Sequence, residues 1–171
     1  MTGTGADAGA TKAFHRIVAD LDYPMFIVTA AATGERSGCL VGFAGQCSIH
    51  PPRFAVWISK KNHTYRVALS ADALAVHVLS VEERHLAERF GTRTGDRDDT
   101  FAGCAWHPGP LGVPVLDEVE RWFAGRVVET ADTGDHGLFL LDLVAAGAGR
   151  GEWPGQLGFQ AVKDIEPGHA P

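Results

Sequence analysis

Three short segments hold residue types that could do chemistry. Ser59-Lys60-Lys61-Asn62-His63-Thr64 lies between an apolar run and a helical pattern. Hydroxyls, a side-chain amide, ammonium groups and free helix amides would converge there, as a phosphate monoester requires. Asn62 or Thr64 could equally cap the helix, and the two roles are compatible. Gly38-Cys39-Leu40-Val41-Gly42-Phe43-Ala44-Gly45-Gln46-Cys47-Ser48 is rich in glycine and small side chains. Glycine weakens a strand unless another backbone or a flat ligand must come close. Backbone amides here could bond the polar rim of a planar heterocycle while Leu40 or Phe43 covers a face; a bulge with no ligand is the plain alternative. Gly134-Asp135-His136-Gly137 is a polar turn running into the apolar Leu138-Phe139-Leu140-Leu141. An Asp-His pair at a strand start can hold an imidazole at a site mouth, although a loop histidine is often merely exposed.

The charge pattern points to the first of these segments. Between Arg36 and Ala71 there is no Asp or Glu, while Arg36, Arg53, Lys60, Lys61 and Arg66 supply five cations. All 21 acids lie elsewhere, and the chain has a net charge of −6. Clearing carboxylates from one stretch of an acidic protein makes a local home for an anion. The negative net charge argues against nucleic acid or an anionic membrane as the main partner. Three cysteines, Cys39, Cys47 and Cys104, make no disulfide framework and are read as reduced, buried thiols of a cytoplasmic protein. Eight histidines show no His-x-x-x-His spacing and no cluster with cysteine, so no metal is expected.

The elements that must position these segments follow from periodicity. A length of 171 residues with 45% hydrophobic and 21% charged residues fits one globular domain. Residues 1–10 read as a mobile tail and 11–167 as the domain. No run is long enough for a membrane helix, and the N-terminus does not resemble a signal peptide. Phe14, Ile17, Val18 and Leu21 predict a helix over residues 11–21, ended by Pro24. Strands are expected at 25–30, 37–43, 54–58 and 74–79, with a short helix from about Asn62. Ser80-Val81-Glu82-Glu83 has capping-box spacing and starts a helix through Leu86 and Phe90 that Gly91 should end. A polar loop at 92–100 leads to strands at 105–107, 119–128, 138–143 and 157–159. Helices are too few for βαβ units and Gly-x-Gly-x-x-Gly is absent after any strand, which argues against a Rossmann domain. A mostly antiparallel, closed or half-closed barrel with small helices is expected.

Taken in order, these segments resemble the flavin reductase-like family, over about residues 14–165. The matching residues are Tyr23-Pro24, the glycine segment followed by Pro51-Pro52, Asn62-His63-Thr64, and Ala75-Val76-His77-Val78-Leu79-Ser80 leading to Leu86-Ala87-Glu88-Arg89-Phe90. Gly112-Val113-Pro114-Val115-Leu116, Trp122, and Gly134-Asp135-His136 with Leu138-Phe139 complete the series. The resemblance implies an FMN-binding split β-barrel, mostly β and Greek-key-like, with a few short peripheral helices. It implies an NAD(P)H:flavin oxidoreductase that passes hydride from NADH or NADPH to FMN, with FAD as the other flavin. It further implies a homodimer and, in many members, a monooxygenase that consumes the reduced flavin.

By the same resemblance, Leu40, Val41, Gly42, Phe43, Gln46, Cys47 and Ser48 line the flavin, and Ser59, Lys60, Asn62 and Thr64 hold its phosphate. His136 is the catalytic candidate near the nicotinamide, and Phe159 is the flavin-side aromatic of the last strand. Two departures stand out: many members have hydroxyl residues where this chain has Gly42 and Phe43, and the final Leu157-Gly158-Phe159-Gln160 keeps the family's aromatic without its basic residue. Two other readings are open here. One is a non-catalytic module that binds flavin or deazaflavin as an electron carrier. The other is an enzyme on a related barrel that oxidises a pyridoxamine phosphate.

Overall fold

The computed structural model describes residues 7–93 and 99–168. Its order is α1 (Ala8–Ala19), β1 (Phe26–Ala32), β2 (Glu35–Val41), β3 (Ala44–Ser48), β4 (Arg53–Ser59), α2 (His63–Ala68) and β5 (Ala73–Val78), then α3 (Arg84–Thr92), β6 (Trp106–Pro108), β7 (Pro114–Leu116), β8 (Arg121–Asp132) and β9 (His136–Ala148). Seven strands form one sheet in the order β2-β1-β5-β8-β9-β4-β3, every pairing antiparallel, and β6-β7 form a separate ribbon. The fold is mostly antiparallel β with short helices around it. Among the described residues no helix is long and apolar enough to cross a membrane.

β1 and β5 are apolar at nearly every position, Thr29 and His77 excepted, because both of their faces are buried. Phe26, Val28 and Ala30 of β1 join Leu74 and Val76 of β5 in one core, with Val41, Val56, Phe139 and Leu141. Val41 lies toward one sheet edge and Val56 toward the other, so the sheet curls around this core. On the opposite face Met25 and Ile27 pack with Leu79, Leu86, Phe90 and Leu157 in a second core. The β6-β7 ribbon docks through buried polar side chains. Thr29 Oγ1 donates to the Pro114 carbonyl at 2.5 Å, and His77 Nε2 accepts from the Leu116 amide at 3.0 Å.

Several boundaries depart from the periodicity reading. α1 starts at Ala8, where Asp7 Oδ1 caps the Ala10 amide, and it ends before Pro24 with none of its residues buried. The glycine segment contains the extra strand β3, and β7 follows a connection that gave no strand signal. Residues 157–159 are not a strand: Gly158 makes one bridge to Pro24, and Phe159 opens a 3₁₀ turn. The Ser80–Glu83 capping box is present, but it opens a 3₁₀ turn that leads into α3. Gly91 does not stop α3. A side chain there would crowd Leu40 and Ile165, so the glycine serves close packing. Cys39 and Cys104 are buried as expected, whereas Cys47 is exposed. Residues 94–98 of the expected polar loop and 1–6 of the expected tail lie outside the described residues.

Candidate functional site

A cleft of about 460 Å³ opens where the end of β2, the β2-β3 connection, β4, the start of β9 and the C-terminal segment meet. That volume is in the range of small-ligand sites. Strand alternation selects its wall: Val56 and Ile58 face the first core, while Trp57 and Ser59, on the other face of β4, line the cleft. Ser59 pairs with His136 across the β4-β9 ladder, and the Lys60 amide donates to the Asp135 carbonyl at 3.0 Å. The β8-β9 turn is thereby tied to the corner that leads into α2. Gly137 permits this approach, because a Cβ there would lie 2.3 Å from the Tyr65 ring.

At that corner Asn62 caps α2, its Oδ1 accepting from the Thr64 amide at 2.9 Å. Asn62 also lines the cleft, and with its oxygen committed to the cap its amide nitrogen is the side chain's remaining donor. Thr64 is fully enclosed, its hydroxyl 2.7 Å from that of Ser37. Cys39 lies on the cleft wall, where burial pushes its thiol up to about 12.

Four rings run along the cleft. Phe159 stacks on Tyr23 with centroids 5.1 Å apart, Tyr23 meets Phe43 edge-on at 6.3 Å, and Phe43 meets the His136 imidazole at 5.1 Å. The Asp135 carboxylate lies 2.7 Å from His136 Nδ1, and this hydrogen bond holds Asp135 below the usual carboxylate range. With Nδ1 donating to Asp135, Nε2 is the ring's remaining polar atom. The amides of Gly42 and Phe43 have no hydrogen-bond partner among the described residues.

The structure thus brings eight sequence-designated residues to one cleft: Leu40, Val41, Gly42, Phe43, Ser59, Asn62, His136 and Phe159. It places the other five elsewhere. Thr64 lies beneath the wall, and Lys60 reaches away to Asp132 at 2.6 Å. Gln46, Cys47 and Ser48 lie on β3, with Gln46 at a separate apolar hollow of about 260 Å³ beside Phe54, Phe123 and Leu141. None of the five cations of the acid-free stretch lines the cleft. Arg36 pairs with Asp99 at 3.2 Å and Arg53 with Asp142 at 2.5 Å, while Arg66 lies 2.9 Å from His63, which itself meets Glu35. The carboxylates missing from the linear stretch are restored in space by other segments.

Sequence reasoning gave no site role to Tyr23, Trp57 or Lys163, all of which line the cleft. Alternation along β4 could have found Trp57. Nothing around Lys163 signals a site.

A family model for the flavin reductase like domain matches residues 18–161. An NADH:riboflavin 5'-phosphate oxidoreductase of Streptomyces pristinaespiralis is 32% identical over 146 residues, covering 80% of each chain. A ferric-chelate reductase (NAD(P)H) of Archaeoglobus fulgidus is 29% identical over 137 residues, covering 79% of each. Some relatives are longer, and the chain covers 37% and 56% of the length of two of them. A flavin reductase domain protein from Arthrobacter sp. FB24 shares the fold with a TM-score of 0.74 at 22% identity, over 85% of this chain and 92% of that one. By sequence and by fold, the chain belongs to the flavin reductase-like family.

Proposed function

We propose that the protein is an NAD(P)H-dependent flavin reductase that takes FMN, or FAD, in the cleft bounded by Phe43, Tyr23, Phe159 and His136. One observation carries this reading: a row of aromatic rings and the unpaired amides of Gly42 and Phe43 line one cleft that has no carboxylate among its described lining residues. A planar, largely apolar ring system with a polar rim fits such a cleft. The backbone amides replace hydroxyl side chains as donors, and the absence of acids avoids repelling a phosphate.

Bound flavin supplies the hydride acceptor, and the protein's own part is to bind, orient and exclude water. Ser59 and Asn62 offer donors for the phosphate. Thr64, through Ser37 and the Asn62 cap, holds that corner in place. Tyr23, Phe43 and Phe159 shield the ring from water. His136, oriented by Asp135, presents Nε2 to the carboxamide side of the donor. No nucleophile or strong base is required. A homodimer on the split-barrel plan, and a monooxygenase that consumes the diffusing reduced flavin, complete the proposal on the strength of the family.

Titrating the protein with FMN, FAD and riboflavin, then following NADH and NADPH oxidation, tests the reading; failure to bind any flavin would overturn it. Gly42→Val sharpens it. A Cβ there would lie 3.4 Å from Met25 Sδ, an ordinary contact, so the fold should tolerate the change. Flavin affinity should fall at least tenfold with thermal melting little altered. Lost stability with retained binding would instead mean that Gly42 serves packing alone.

A further inference from the structure

The cleft has to serve two phosphate-bearing molecules, yet its polar donors gather at one corner. Ser59, Asn62 and the neighbouring turn offer hydrogen bonds at the start of α2. A dinucleotide donor also brings a diphosphate that carries two negative charges. Among the described residues lining the cleft, Lys163 is the one lysine or arginine. It stands on the C-terminal segment, one turn past Phe159 and so at the far end of the ring row from His136.

Lys163 is held there. Its ammonium donates to Gln160 Oε1 at 3.1 Å, a neutral acceptor, and its charge also helps hold the neighbouring Asp164 below the usual carboxylate range, after the Arg84 hydrogen bond that chiefly does so. Gln160 is itself pinned at three points. Its side-chain nitrogen donates to the Ala19 and Leu21 carbonyls at 2.8 and 2.9 Å, and its backbone amide donates to Asp22 at 2.8 Å. Arg84 secures the next turn through the Ala161 carbonyl and Asp164. Lys163 is exposed, which suits a group that stays hydrated while its rings are buried. A lysine ammonium is a compact point charge with three donors, matched to a diphosphate rather than to a flat ring.

We propose that Lys163 binds the diphosphate of the reduced nicotinamide dinucleotide, so that the donor spans the cleft from Lys163 with its nicotinamide toward His136. Gln160 is the positioning residue for that ammonium. The inference rests on the reductase reading and extends it to the donor's binding mode.

The test uses flavin-loaded protein and ADP-ribose, which keeps the diphosphate and lacks nicotinamide, with binding measured by calorimetry. Lys163→Gln should weaken ADP-ribose about tenfold and remove much of the salt dependence of its binding, while Lys163→Arg should restore most of the affinity. KM for NADH should rise about as much with kcat little changed. Oxidation of 1-benzyl-1,4-dihydronicotinamide, which has no phosphate, should be unaffected. Gln160→Ala should reproduce a weaker version of the same pattern. Unchanged ADP-ribose affinity in Lys163→Gln overturns the inference, as does a loss confined to FMN. Wild-type protein that binds flavin yet oxidises no dinucleotide overturns the reductase reading, and the inference with it.

Discussion

His77 and His136 both stand on strands of the same sheet, and their two regions treat the imidazole in opposite ways. His77 has no exposed surface, with Nδ1 3.1 Å from the Ile27 carbonyl and Nε2 accepting from the Leu116 amide. Both nitrogens are spent on joining the β7 ribbon to β1 and β5. Burial holds this ring down to about 4, so it stays neutral with the proton on Nδ1. His136 instead begins a strand at the mouth of a cleft, with one nitrogen on an exposed carboxylate and the other unspent. A histidine with both nitrogens committed inside a core is a structural clip, whereas one with a spare nitrogen at an aromatic cleft is available to a substrate.

That contrast can be broken most forcefully at His77. His77→Ala leaves the Ile27 carbonyl and the Leu116 amide unpartnered and opens a cavity, so it should cost about 3–4 kcal/mol of unfolding free energy. Chemical denaturation followed by tryptophan fluorescence would measure it. A loss below about 1 kcal/mol would show that the ribbon does not depend on the clip.

Acid should act on the same residue. Well above pH 6.5 the ring is neutral both folded and unfolded, and its contribution is complete. As pH falls from 6.5 toward 4 the unfolded chain takes up a proton that the buried ring refuses, and stability is lost. The full loss is about 3 kcal/mol. In a His77→Gln variant this part of the pH slope should vanish. An identical slope in wild type and variant would assign the acid sensitivity to carboxylates.

The smallest effect on stability, and the largest on turnover, is expected at His136. His136→Ala should change unfolding free energy by less than about 1 kcal/mol, because the residue is half-buried at a strand start and its only side-chain hydrogen bond among the described residues is to an exposed carboxylate. It should lower kcat/KM for the donor by about 10–100-fold, or roughly 1.4–2.7 kcal/mol of transition-state stabilisation. Flavin affinity should shift by less than about threefold. Asp135→Asn should do less, because its exposed carboxylate chiefly orients the ring. Single-turnover reduction at the wild-type rate in His136→Ala would remove His136 from the mechanism.

Elements buried on both faces were legible because nearly every residue of β1 and β5 must be apolar. The far half of β9 was not. Beyond Leu143 it runs through Val144-Ala145-Ala146-Gly147-Ala148, held by its long ladder with β8 rather than by an apolar alternation. β7 is three residues long, too short for any period to show. Within the site, glycine spacing pointed to Gly42 and the Asp-His turn to His136. The charge pattern misled, because an acid-free stretch says nothing about acids that folding brings back beside Arg53 and Lys60. Lys163 and Tyr23 reach the cleft by tertiary approach alone, which leaves no local trace.

The Cys39 thiol on the cleft wall has a consequence for durability. Reduced flavin that meets dioxygen releases hydrogen peroxide, and peroxide attacks thiolates rather than thiols. With burial pushing its thiol up to about 12, Cys39 stays protonated at neutral pH. A cysteine at that position can therefore outlast the oxidant that the proposed chemistry generates beside it, whereas a thiolate there would be converted to sulfenic acid over successive turnovers.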